Sequence, residues 1–468
     1  MIQIDSELSP QDLLPAIDTM WQHSAGKIRS IADTYDRSQG SPVFTVAGKY
    51  STRGWTEWTQ GFEYGSAILQ FHATDEVHFL DWGREQTRSK MAPHLTHTGV
   101  HDHGFNNVST YGSLLRLMNQ GRISENATER DFYELALKIS GAVQARRWTP
   151  IGNRDNRDNR DNRGGGEGYI YSFNGPHSLF ADTIRSLRAL AISHQLGHLL
   201  HEEGDVRVNL LERLVQHART TAEYTVFYGE GRDRYDTPAT RGRTAHECIF
   251  NLNDGNFRCP NSQQGYSPFT TWTRGLAWVI CGYAEQLEFL RTVDDAELDP
   301  LGGRAEIEGF MRKAATATCD FFIEHTPTDG IPYWDTGAPG LVHLGEKNGD
   351  YLDQPANPFN DHEPVDSTAA AIAAQGLIRF GEYSGESRYT QAGLTCLRTL
   401  LGPTYLSTDP AHQGLLLHSI YHQPNGWDYV PEGSTVANGE SSMWGDYHLR
   451  ELALTVQGLA AGSPLTFF

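Results

Sequence analysis

The chain is poor in cysteine, and this excludes a fold that depends on disulfide bonds. Its 468 residues include five cysteines, an odd number with no CxxC pair, namely Cys248, Cys259, Cys281, Cys319 and Cys396. A chain of this length buries a sizeable core without crosslinks, so buried free thiols in a reducing compartment are predicted. A zinc site built from Cys248, Cys259 and His246 would have a spacing that fits no common structural zinc pattern.

Long apolar runs are also missing, and so are the features of a targeting segment. No stretch reaches the roughly 18 apolar residues that a membrane helix needs. The first residues, Met1 to Ser6, include no cationic region followed by an apolar run, which argues against a signal peptide. We therefore expect a soluble protein of the cytoplasm without a membrane partner, or a periplasmic protein if a signal peptide was removed.

Positive charge is scarce in this sequence. The 38 Lys and Arg residues are outnumbered by 58 Asp and Glu residues, which gives a net charge of −20 at pH 7. Nucleic acids are bound by basic surfaces, so the composition argues against a nucleic-acid partner. An anionic substrate would need a local basic site within this negative field.

Helical periodicity is the main structural signal, while alternating strand patterns are short and few. The predicted helices cover residues 9–36, 59–74, 75–91, 108–120, 126–147, 178–201, 205–228, 273–293, 303–325, 366–384, 387–401 and 442–460. No sequence repeat is obvious, so a solenoid is not indicated. Twelve helices in six hairpins predict an all-α protein, an (α/α)6 barrel in which an inner ring lies within an outer ring. We expect a single catalytic domain over residues 1–468, with a ligand-binding funnel at the inner ends of the ring.

One segment, residues 153–166, has low complexity. It reads Asn-Arg-Asp three times, then Asn-Arg and three glycines. A segment without apolar residues is predicted to be a surface loop. Because it precedes the helical run at Asp182 in the chain, a lid over the site is the second interpretation.

Two aspartates at the starts of helical patterns are the candidates for acid–base chemistry. Asp102 lies between His101 and His103, just before Gly104, and Asp182 begins another helical run. Glycosidic chemistry needs a carboxyl group that gives and takes protons, and two carboxyls in different environments can divide these tasks. The alternative for each is structural, because an Asp at a helix start caps the helix or complements its dipole.

Aromatic side chains supply further material for a sugar-binding site. The ten Trp and twenty Tyr residues suit stacking on sugar rings. Arg274 and Trp278 are spaced i,i+4, as are Trp58 and Phe62, so each pair shares one helical face. Core packing, or an Arg stacked on a Trp at the surface, would explain the same spacings. His246 precedes a loop rich in Asn and Gly, and a lone histidine of this kind is more often structural.

Taken in order, seven segments resemble the motifs of the unsaturated glucuronyl hydrolases, glycoside hydrolase family 88, and of the related unsaturated rhamnogalacturonyl hydrolases of family 105. The resemblance extends from Trp58 to about Leu454. The segments are Trp58-Thr59-Gln60-Gly61-Phe62, His101-Asp102-His103-Gly104-Phe105, Ala181-Asp182 through Leu187 and Leu190, Gln263-Gln264-Gly265-Tyr266, Arg274-Gly275-Leu276-Ala277-Trp278, Asp366-Ser367-Thr368-Ala369-Ala370-Ala371-Ile372 and Trp444-Gly445-Asp446-Tyr447. Each motif is weak alone, whereas the series in this order is specific.

The resemblance implies an (α/α)6 barrel that hydrates a double bond instead of displacing at the anomeric carbon. The substrate would be a lyase-generated oligosaccharide with a 4,5-unsaturated uronate at its non-reducing end, and no metal or organic cofactor is implied. Asp182 would protonate C4 and activate the water that adds at C5, after which the hemiketal opens and releases the sugar. Asp102 would orient the ring hydroxyls and raise the proton affinity of Asp182 by like-charge repulsion.

The resemblance also implies a set of substrate-binding residues and a monomer or homodimer as the functional unit. The set consists of Trp58, Phe62, His101, His246, Gln264, Arg274 and Trp278. Its three large aromatic rings would form stacking walls, while the amide and the guanidinium would make polar contacts. His246 would assist near the water or the uronate.

The chain departs from the family pattern at three places. Gln263 stands where the family often has His, and Leu276 where it often has Gln. The family's tryptophan before the acid helix has no clear counterpart, and Tyr171, Phe173 or Trp148 are the candidates. These departures affect the identity of the substrate, including its polysaccharide of origin, linkage and sulfation, more than the reaction.

Three other functions are compatible with a helical toroid. An inverting glycosidase would use both acids at the anomeric carbon of a saturated glycoside. A sugar epimerase would use paired histidines as bases, and His101, His103 and His246 are available for that. A carbohydrate-binding protein without activity would need neither acid, so the two acids together with the aromatic set favour the hydration reaction.

Overall fold

The structure, a computed structural model, describes residues 1–54, 57–152, 167–347 and 349–468. Helices dominate these ranges. The α-helices are α1 (Pro10–Thr34), α2 (Gln60–Thr74), α3 (Val77–Lys90), α4 (Ala92–Leu95), α5 (His103–Asn107), α6 (Ser113–Asn119), α7 (Ala127–Arg146), α8 (Thr183–Ser186), α9 (Arg188–Gln195), α10 (Leu210–Tyr224), α11 (Thr273–Leu290), α12 (Asp295–Leu298), α13 (Arg304–Glu324), α14 (Ser367–Ser384), α15 (Ser387–Leu400) and α16 (Met443–Ala460).

The helices form two concentric rings. Going round the inner ring, α2 contacts the helical stretch of α5 and α6, which contacts α8 and α9, and these contact α11, then α14, then α16, which returns to α2. The outer ring consists of α1, α3, α7, α10, α13 and α15, each packed against an inner neighbour. The inner helices are buried along nearly their whole length. The prediction of an all-α, (α/α)6 barrel is therefore confirmed.

Short antiparallel strands connect the helices. They are β1 (Phe44–Val46), β2 (Lys49–Ser51), β3 (Trp148–Pro150), β4 (Gly168–Ile170), β5 (Ser178–Phe180), β6 (Leu200–His201), β7 (Arg207–Val208), β8 (Glu247–Phe250) and β9 (Phe257–Asn261). Strand β8 lies between β5 and β9 in a small sheet. The chain is also fixed one residue before Asp182, because Ala181 N–H donates to the carbonyl of His246 at 2.8 Å.

Three predicted helices differ from those observed. The run predicted at 205–228 includes strand β7, and its helix α10 starts only at Leu210. The run predicted at 178–201 begins as strand β5, because these residues pair with β8, and the helix starts only at Thr183. The helix predicted at 108–120 starts earlier, at His103, and includes a π-helical turn over Val108–Gly112. Such turns are frequent near functional sites. The segment 153–166, predicted as a surface loop, lies outside the described residues.

Glycine allows two inner segments to approach closely at the start of α2. A Cβ on Gly61 would overlap the backbone of Asn106 in α5. The Gly61 N–H donates to Asn106 Oδ1 at 2.8 Å, which ties the two helix starts together. The glycine of the Trp58–Phe62 motif therefore has a packing function.

A buried ion network joins the inner helices α8, α9, α11 and α16. Arg185 Nη2 lies 2.7 Å from Glu451 Oε2, and Arg185 Nε lies 2.9 Å from Glu285 Oε2. Arg188 lies within 3.7 Å of the same two carboxylates, and all four side chains are buried. Removing one member would leave a buried charge unpaired, which typically costs about 3–5 kcal/mol. In the part of the chain that the structure describes, no helix has the length and apolar character needed to cross a bilayer.

Candidate active site

A cavity opens at the end of the inner ring where the inner helices begin. Its open space is about 640 Å³, and it is lined by Trp58, His101, Asp102, Phe105, Phe173, Asp182, Gln263, Gln264, Trp272, Arg274, Trp278, Tyr421, His422 and Trp427. Asp102 and Asp182 immediately precede α5 and α8, and Arg274 lies in the first turn of α11. Helix N-termini carry partial positive charge. This end of the ring therefore favours an anionic ligand despite the net negative charge of the chain.

One imidazole lies between the two aspartates. His101 Nε2 is 3.0 Å from Asp182 Oδ1 and 3.7 Å from Asp102 Oδ1. His101 is 1% exposed and each aspartate 8%, and all three line the cavity, so the little surface that they expose faces it. The structure thus brings together the two predicted acids and the histidine between them.

Burial disfavours the charged form of all three groups, and the neighbouring charges decide where the proton lies. Burial alone would lower the pKa of His101, but the two carboxylates raise it above its ordinary value. Burial would raise the pKa of Asp182, but His101, with His246 and Arg274, holds it below its ordinary value. For Asp102, burial outweighs the charge of His101 and raises the pKa. In the free site the imidazole of His101 has a larger effect on the pKa of Asp182 than like-charge repulsion has, and the expectation that Asp102 raises the proton affinity of Asp182 stays a prediction.

Arg274 is held by protein groups rather than left free at the cavity wall. Its Nη1 lies 2.8 Å from Asp366 Oδ2 and also donates to the carbonyl of Ile420. Its Nη2 donates to Gln264 Oε1 at 3.1 Å and to the carbonyl of Tyr421 at 2.6 Å. This guanidinium therefore connects three parts of the site, and its predicted contact with substrate stays a prediction.

Gln264 is oriented by that bond. Its Oε1 accepts from Arg274, so its amide NH2 is left to donate. The residue is half-buried and lines the cavity. An oriented amide donor at this position suits a carboxylate or a hydroxyl oxygen of a ligand.

His246 lies behind the cavity wall and is not among the lining residues. It is 3% exposed, and its ring packs against Phe180 and Trp272 with centroids 4.6 Å apart in both cases. Its Nδ1 accepts the backbone N–H groups of Gln263 and Gln264 at 3.1 and 3.2 Å. Burial lowers the pKa of His246 to about 4, so the ring is neutral at pH 7. Its visible function is to hold the loop that carries the two glutamines.

The predicted aromatic walls divide into a lining layer and a supporting layer. Trp58 and Trp278 line the cavity. Phe62 is fully buried beneath Trp58, with ring centroids 5.9 Å apart and an edge-on arrangement. Trp444, from the last of the matched motifs, lies 4.8 Å from Trp58 and supports it from the other side.

The aromatic residue that lines the cavity before the acid helix is Phe173. Its ring stacks on His101, with centroids 6.1 Å apart and planes 18° apart. Tyr171 instead lies under the guanidinium of Arg147, and Trp148 is half-buried and absent from the cavity lining. Of the three sequence candidates, Phe173 therefore occupies the cavity wall.

The mouth of the cavity is formed by residues that sequence reasoning largely missed. Tyr421, His422 and Trp427 line it together. Asp428 holds them by accepting the backbone N–H groups of Tyr421 and His422. The guanidinium of Arg53 lies 4.7 Å from the Trp427 ring and donates to its carbonyl at 3.1 Å. The aromatic residues in the sequence around 427 were the available signal for this part of the lining.

Comparisons with known proteins connect this geometry to a family, although no family model matches the chain. It is 26% identical to an unsaturated glucuronyl hydrolase of Formosa agariphila over 410 residues, 86% of this chain and 80% of that protein. It is 22% identical to an unsaturated chondroitin disaccharide hydrolase of Streptococcus pyogenes over 458 residues, 96% of this chain and 92% of that protein.

Solved structures share the fold at lower sequence identity. A crystal structure of an unsaturated glucuronyl hydrolase from Bacillus sp. GL1, described as responsible for glycosaminoglycan degradation, matches with a TM-score of 0.65 and 19% identity, over 96% of this chain and 99% of that one. An unsaturated glucuronyl hydrolase specific for heparin matches with a TM-score of 0.67 and 16% identity, over 97% and 99%. The resemblance inferred from the motifs is thereby confirmed in both sequence and fold.

Proposed function

We propose that this chain, a relative of the unsaturated glucuronyl hydrolases, removes the 4,5-unsaturated uronic acid from the non-reducing end of oligosaccharides made by a polysaccharide lyase. The observation that carries the proposal is that both aspartates lie beside His101 Nε2 in the cavity, Asp182 at 3.0 Å and Asp102 at 3.7 Å. Relatives named for glucuronyl and chondroitin disaccharide hydrolysis support glycosaminoglycan fragments as the substrate class. Residues 1–468 would form one catalytic domain.

The proposed reaction is the hydration of the C4=C5 double bond. Asp182 donates a proton to C4, and the positive charge that develops at C5 is stabilised by the ring oxygen. A water molecule adds to C5 and gives its proton to Asp182, which is thereby ready for another cycle. The resulting hemiketal opens by cleavage of the bond between C5 and the ring oxygen, which leaves a ketone at C5 and a hemiacetal at C1. The hemiacetal then collapses to an aldehyde and releases the remaining sugar. Atoms balance with one water consumed.

The uronate carboxylate is the group that the helix N-termini would attract. The amide NH2 of Gln264, oriented by Arg274, is a suitable donor to it. Arg274 would add positive charge from behind the amide, with Asp366 reducing that charge in part. In this arrangement the anion is recognised by an amide and by dipoles, so a free surface arginine is not required.

The sugar ring would lie between aromatic walls. Trp58 and Trp278 are on the cavity lining, with Phe173 beside the acids. The leaving sugar would extend toward Trp427 and His422 at the mouth. Stacking on such faces is worth about 0.5–1.5 kcal/mol beyond the buried area.

The distance between the two carboxylates disfavours the alternative function, an inverting glycosidase. Inverting enzymes separate their carboxyl groups by about 6.5–9.5 Å to admit a water molecule between them and the sugar. Here His101 Nε2 lies 3.0 Å from Asp182 Oδ1 and 3.7 Å from Asp102 Oδ1. The distance between these two oxygens is therefore at most near the lower limit of that range. We therefore retain hydration as the single proposed reaction.

The ultraviolet absorbance of the conjugated double bond provides the test. Unsaturated disaccharides from several lyases would be incubated with the wild type, with Asp182→Asn and with Asp131→Asn, a matched control on the exposed surface of α7. We expect the wild type and the control to remove the absorbance of at least one disaccharide and Asp182→Asn to lose this activity. Cleavage of saturated glycosides without any loss of absorbance would overturn the proposal.

A further inference from the structure

We propose that His101 stores the catalytic proton: its Nε2 proton passes to Asp182 when substrate displaces water from the cavity, and returns when product leaves. This inference rests on the proposed function, because it concerns how Asp182 receives the proton that it donates to C4. His101 acts through Asp182 and is in that sense a positioning residue.

The geometry around His101 allows a direct proton transfer to Asp182. Its Nε2 is 3.0 Å from Asp182 Oδ1, a hydrogen-bond distance, so a proton can pass between them without a change of ring position. Asp102 Oδ1, at 3.7 Å from the same nitrogen, acts through its charge. The other nitrogen, Nδ1, is buried and has no hydrogen-bond partner among the described residues. The positive charge of the imidazolium is therefore held from one side only.

A histidine of the same short stretch shows the contrast. His103 uses both ring nitrogens, with Nδ1 3.2 Å from Ser140 Oγ and Nε2 3.0 Å from the carbonyl of His97. Burial lowers its pKa to about 4, so it stays neutral. Both ring nitrogens of His103 thus have a partner, whereas among the described residues Nδ1 of His101 has none, and neither has Nε2 of His217 or His246.

The charges that face His101 come from four other elements. Besides the two aspartates, Arg147 acts on it from the end of α7, and its three guanidinium nitrogens donate to backbone carbonyls. The neutral rings of His217 and His246 lie further back, and burial lowers their pKa to about 3 and about 4. Arg274 acts on Asp182. The free site therefore keeps its proton on the histidine, because the carboxylates raise the pKa of His101 and lie closest to it.

The proposed reaction needs the proton on Asp182 instead. In a hydrated cavity the ion pair of imidazolium and carboxylate is stabilised by water. When the substrate fills the cavity, that solvation is removed and the neutral pair becomes favourable. The Nε2–H bond of His101 then breaks and an O–H bond forms on Asp182, with no change in the net charge of the three groups.

The rest of the cycle uses the same proton positions. Asp182 delivers its proton to C4 and then takes one from the water that adds at C5. When product leaves and water re-enters, this proton returns to His101 Nε2 and restores the ion pair. Asp102 keeps His101 charged between cycles, which gives the second acid a function that requires no direct contact with C4.

The pH dependence of His101→Gln separates this function from a structural one. Glutamine can still donate a hydrogen bond to Asp182 but cannot lose a proton. We expect kcat at pH 7.5 to fall about 100-fold, within the usual range for acid–base catalysis, with KM changed less than about threefold. Activity should recover as the pH is lowered, because Asp182 then takes its proton from solvent. A kcat within about threefold of the wild type, or a loss that is the same at every pH, would overturn the proposal.

His103→Gln is the matched control for that experiment. It changes the neighbouring buried histidine of the same stretch, which does not line the cavity. Whatever its effect on stability, it should leave the alkaline limb of the pH profile where it is in the wild type. A shift equal to that of His101→Gln would contradict the assignment to His101.

A titration by NMR tests the inference without turnover. The ring signal of His101 in labelled free protein is identified as the one missing from His101→Gln. We expect its imidazolium form to persist above pH 6.5, the ordinary value, and its pKa to fall by about 1–3 units in Asp102→Asn, the usual effect of one close charge. A His101 that is neutral at pH 6.5 overturns the inference even if disaccharides are consumed. If His101 is charged but the protein consumes no unsaturated disaccharide, the proposed function is wrong, and the role of His101 in it is then wrong as well.

Discussion

Gly104 lies directly against Ser186, and this contact holds the two acid-bearing segments together. The Gly104 N–H donates to Ser186 Oγ at 2.9 Å, and Ser186 Oγ donates to the carbonyl of His101 at 2.6 Å. Any Cβ on Gly104 would overlap the backbone of Ser186. Asp102 and Asp182 come close because no side chain separates the starts of α5 and α8.

Gly104→Ala should therefore separate the acids. We expect overpacking to lower the free energy of unfolding by about 1–3 kcal/mol. We also expect kcat to fall by more than the loss of folded protein can explain. Chemical denaturation and initial rates on an unsaturated disaccharide measure the two quantities.

Gly26→Ala is the control for this substitution. Gly26 is exposed within α1, and a Cβ there would meet no atom within 4 Å. Replacing it should stabilise the helix by about 0.5–1 kcal/mol and leave the rate unchanged. If Gly104→Ala behaves like Gly26→Ala, the contact with Ser186 does not control the site.

Gln264→Glu tests the oriented amide. Arg274 would still hold one oxygen, but the second oxygen would present a negative charge where an NH2 group now donates. We expect KM for an unsaturated disaccharide to rise at least about tenfold, equivalent to about 1.4 kcal/mol, with a smaller change in kcat. Gln120→Glu makes the same charge change at an exposed position away from the cavity and should alter neither value. An unchanged KM for Gln264→Glu would place the uronate elsewhere.

Trp427→Ala tests the mouth as the binding place of the leaving sugar. Loss of one stacking face should raise KM about three- to tenfold, in line with about 0.5–1.5 kcal/mol for such a contact. The effect should be larger for a disaccharide than for an unsaturated uronate with a methyl leaving group, because only the disaccharide reaches Trp427. Phe359→Ala removes another aromatic ring, 64% exposed and outside the cavity lining, and should have no effect. Equal losses with both substrates would contradict the assignment of the mouth.

The ring of helices could be predicted from periodicity because it depends on local pattern. Helices α11, α14 and α16 are close to their predicted limits, since buried apolar residues recur along them, and α14 is also capped by Asp366 and Gly385. The strand Ser178–Phe180 was predicted as helix because its pairing with β8, far along the chain, leaves no local signal.

The site was predictable only in part. The motifs around Asp102 and Asp182 carried the resemblance, and the structure brings both to His101. The bonds of Arg274 to the carbonyls of Ile420 and Tyr421 cross about 146 residues of chain and have no spacing that a sequence reveals. A motif indicates that an arginine is important but does not show whether it contacts a ligand or the protein itself.

His217 provides a test of the buried core that is independent of catalysis. It is fully buried, its Nδ1 accepts the Ile170 N–H at 3.0 Å, and burial lowers its pKa to about 3. In the unfolded chain His217 takes up a proton near pH 6.5, whereas in the folded protein it stays neutral down to about pH 3. Its contribution therefore lowers the free energy of unfolding as the pH falls from 6.5 toward 3.

The comparison with His217→Gln isolates that contribution. Near pH 8 the variant should be less stable than the wild type, and by pH 5 the difference in the free energy of unfolding should have shrunk by about 2 kcal/mol, since one pKa unit equals about 1.4 kcal/mol. His201→Gln, at an exposed position in β6, is the surface control for the substitution. A constant difference for His217→Gln would mean that this ring is protonated in the folded protein.

Hydration and direct cleavage of the glycosidic bond are separated most directly by the reaction in deuterium oxide. The absorbance of the double bond and the release of the remaining sugar would be followed together, and the configuration at C4 of the product read by NMR. Hydration by Asp182 predicts that absorbance is lost no later than sugar is released, and that one deuterium enters C4 with a single configuration. Release of sugar before the loss of absorbance, with deuterium in both configurations at C4, would show that the bond is cleaved first and that the double bond reacts afterwards in solution.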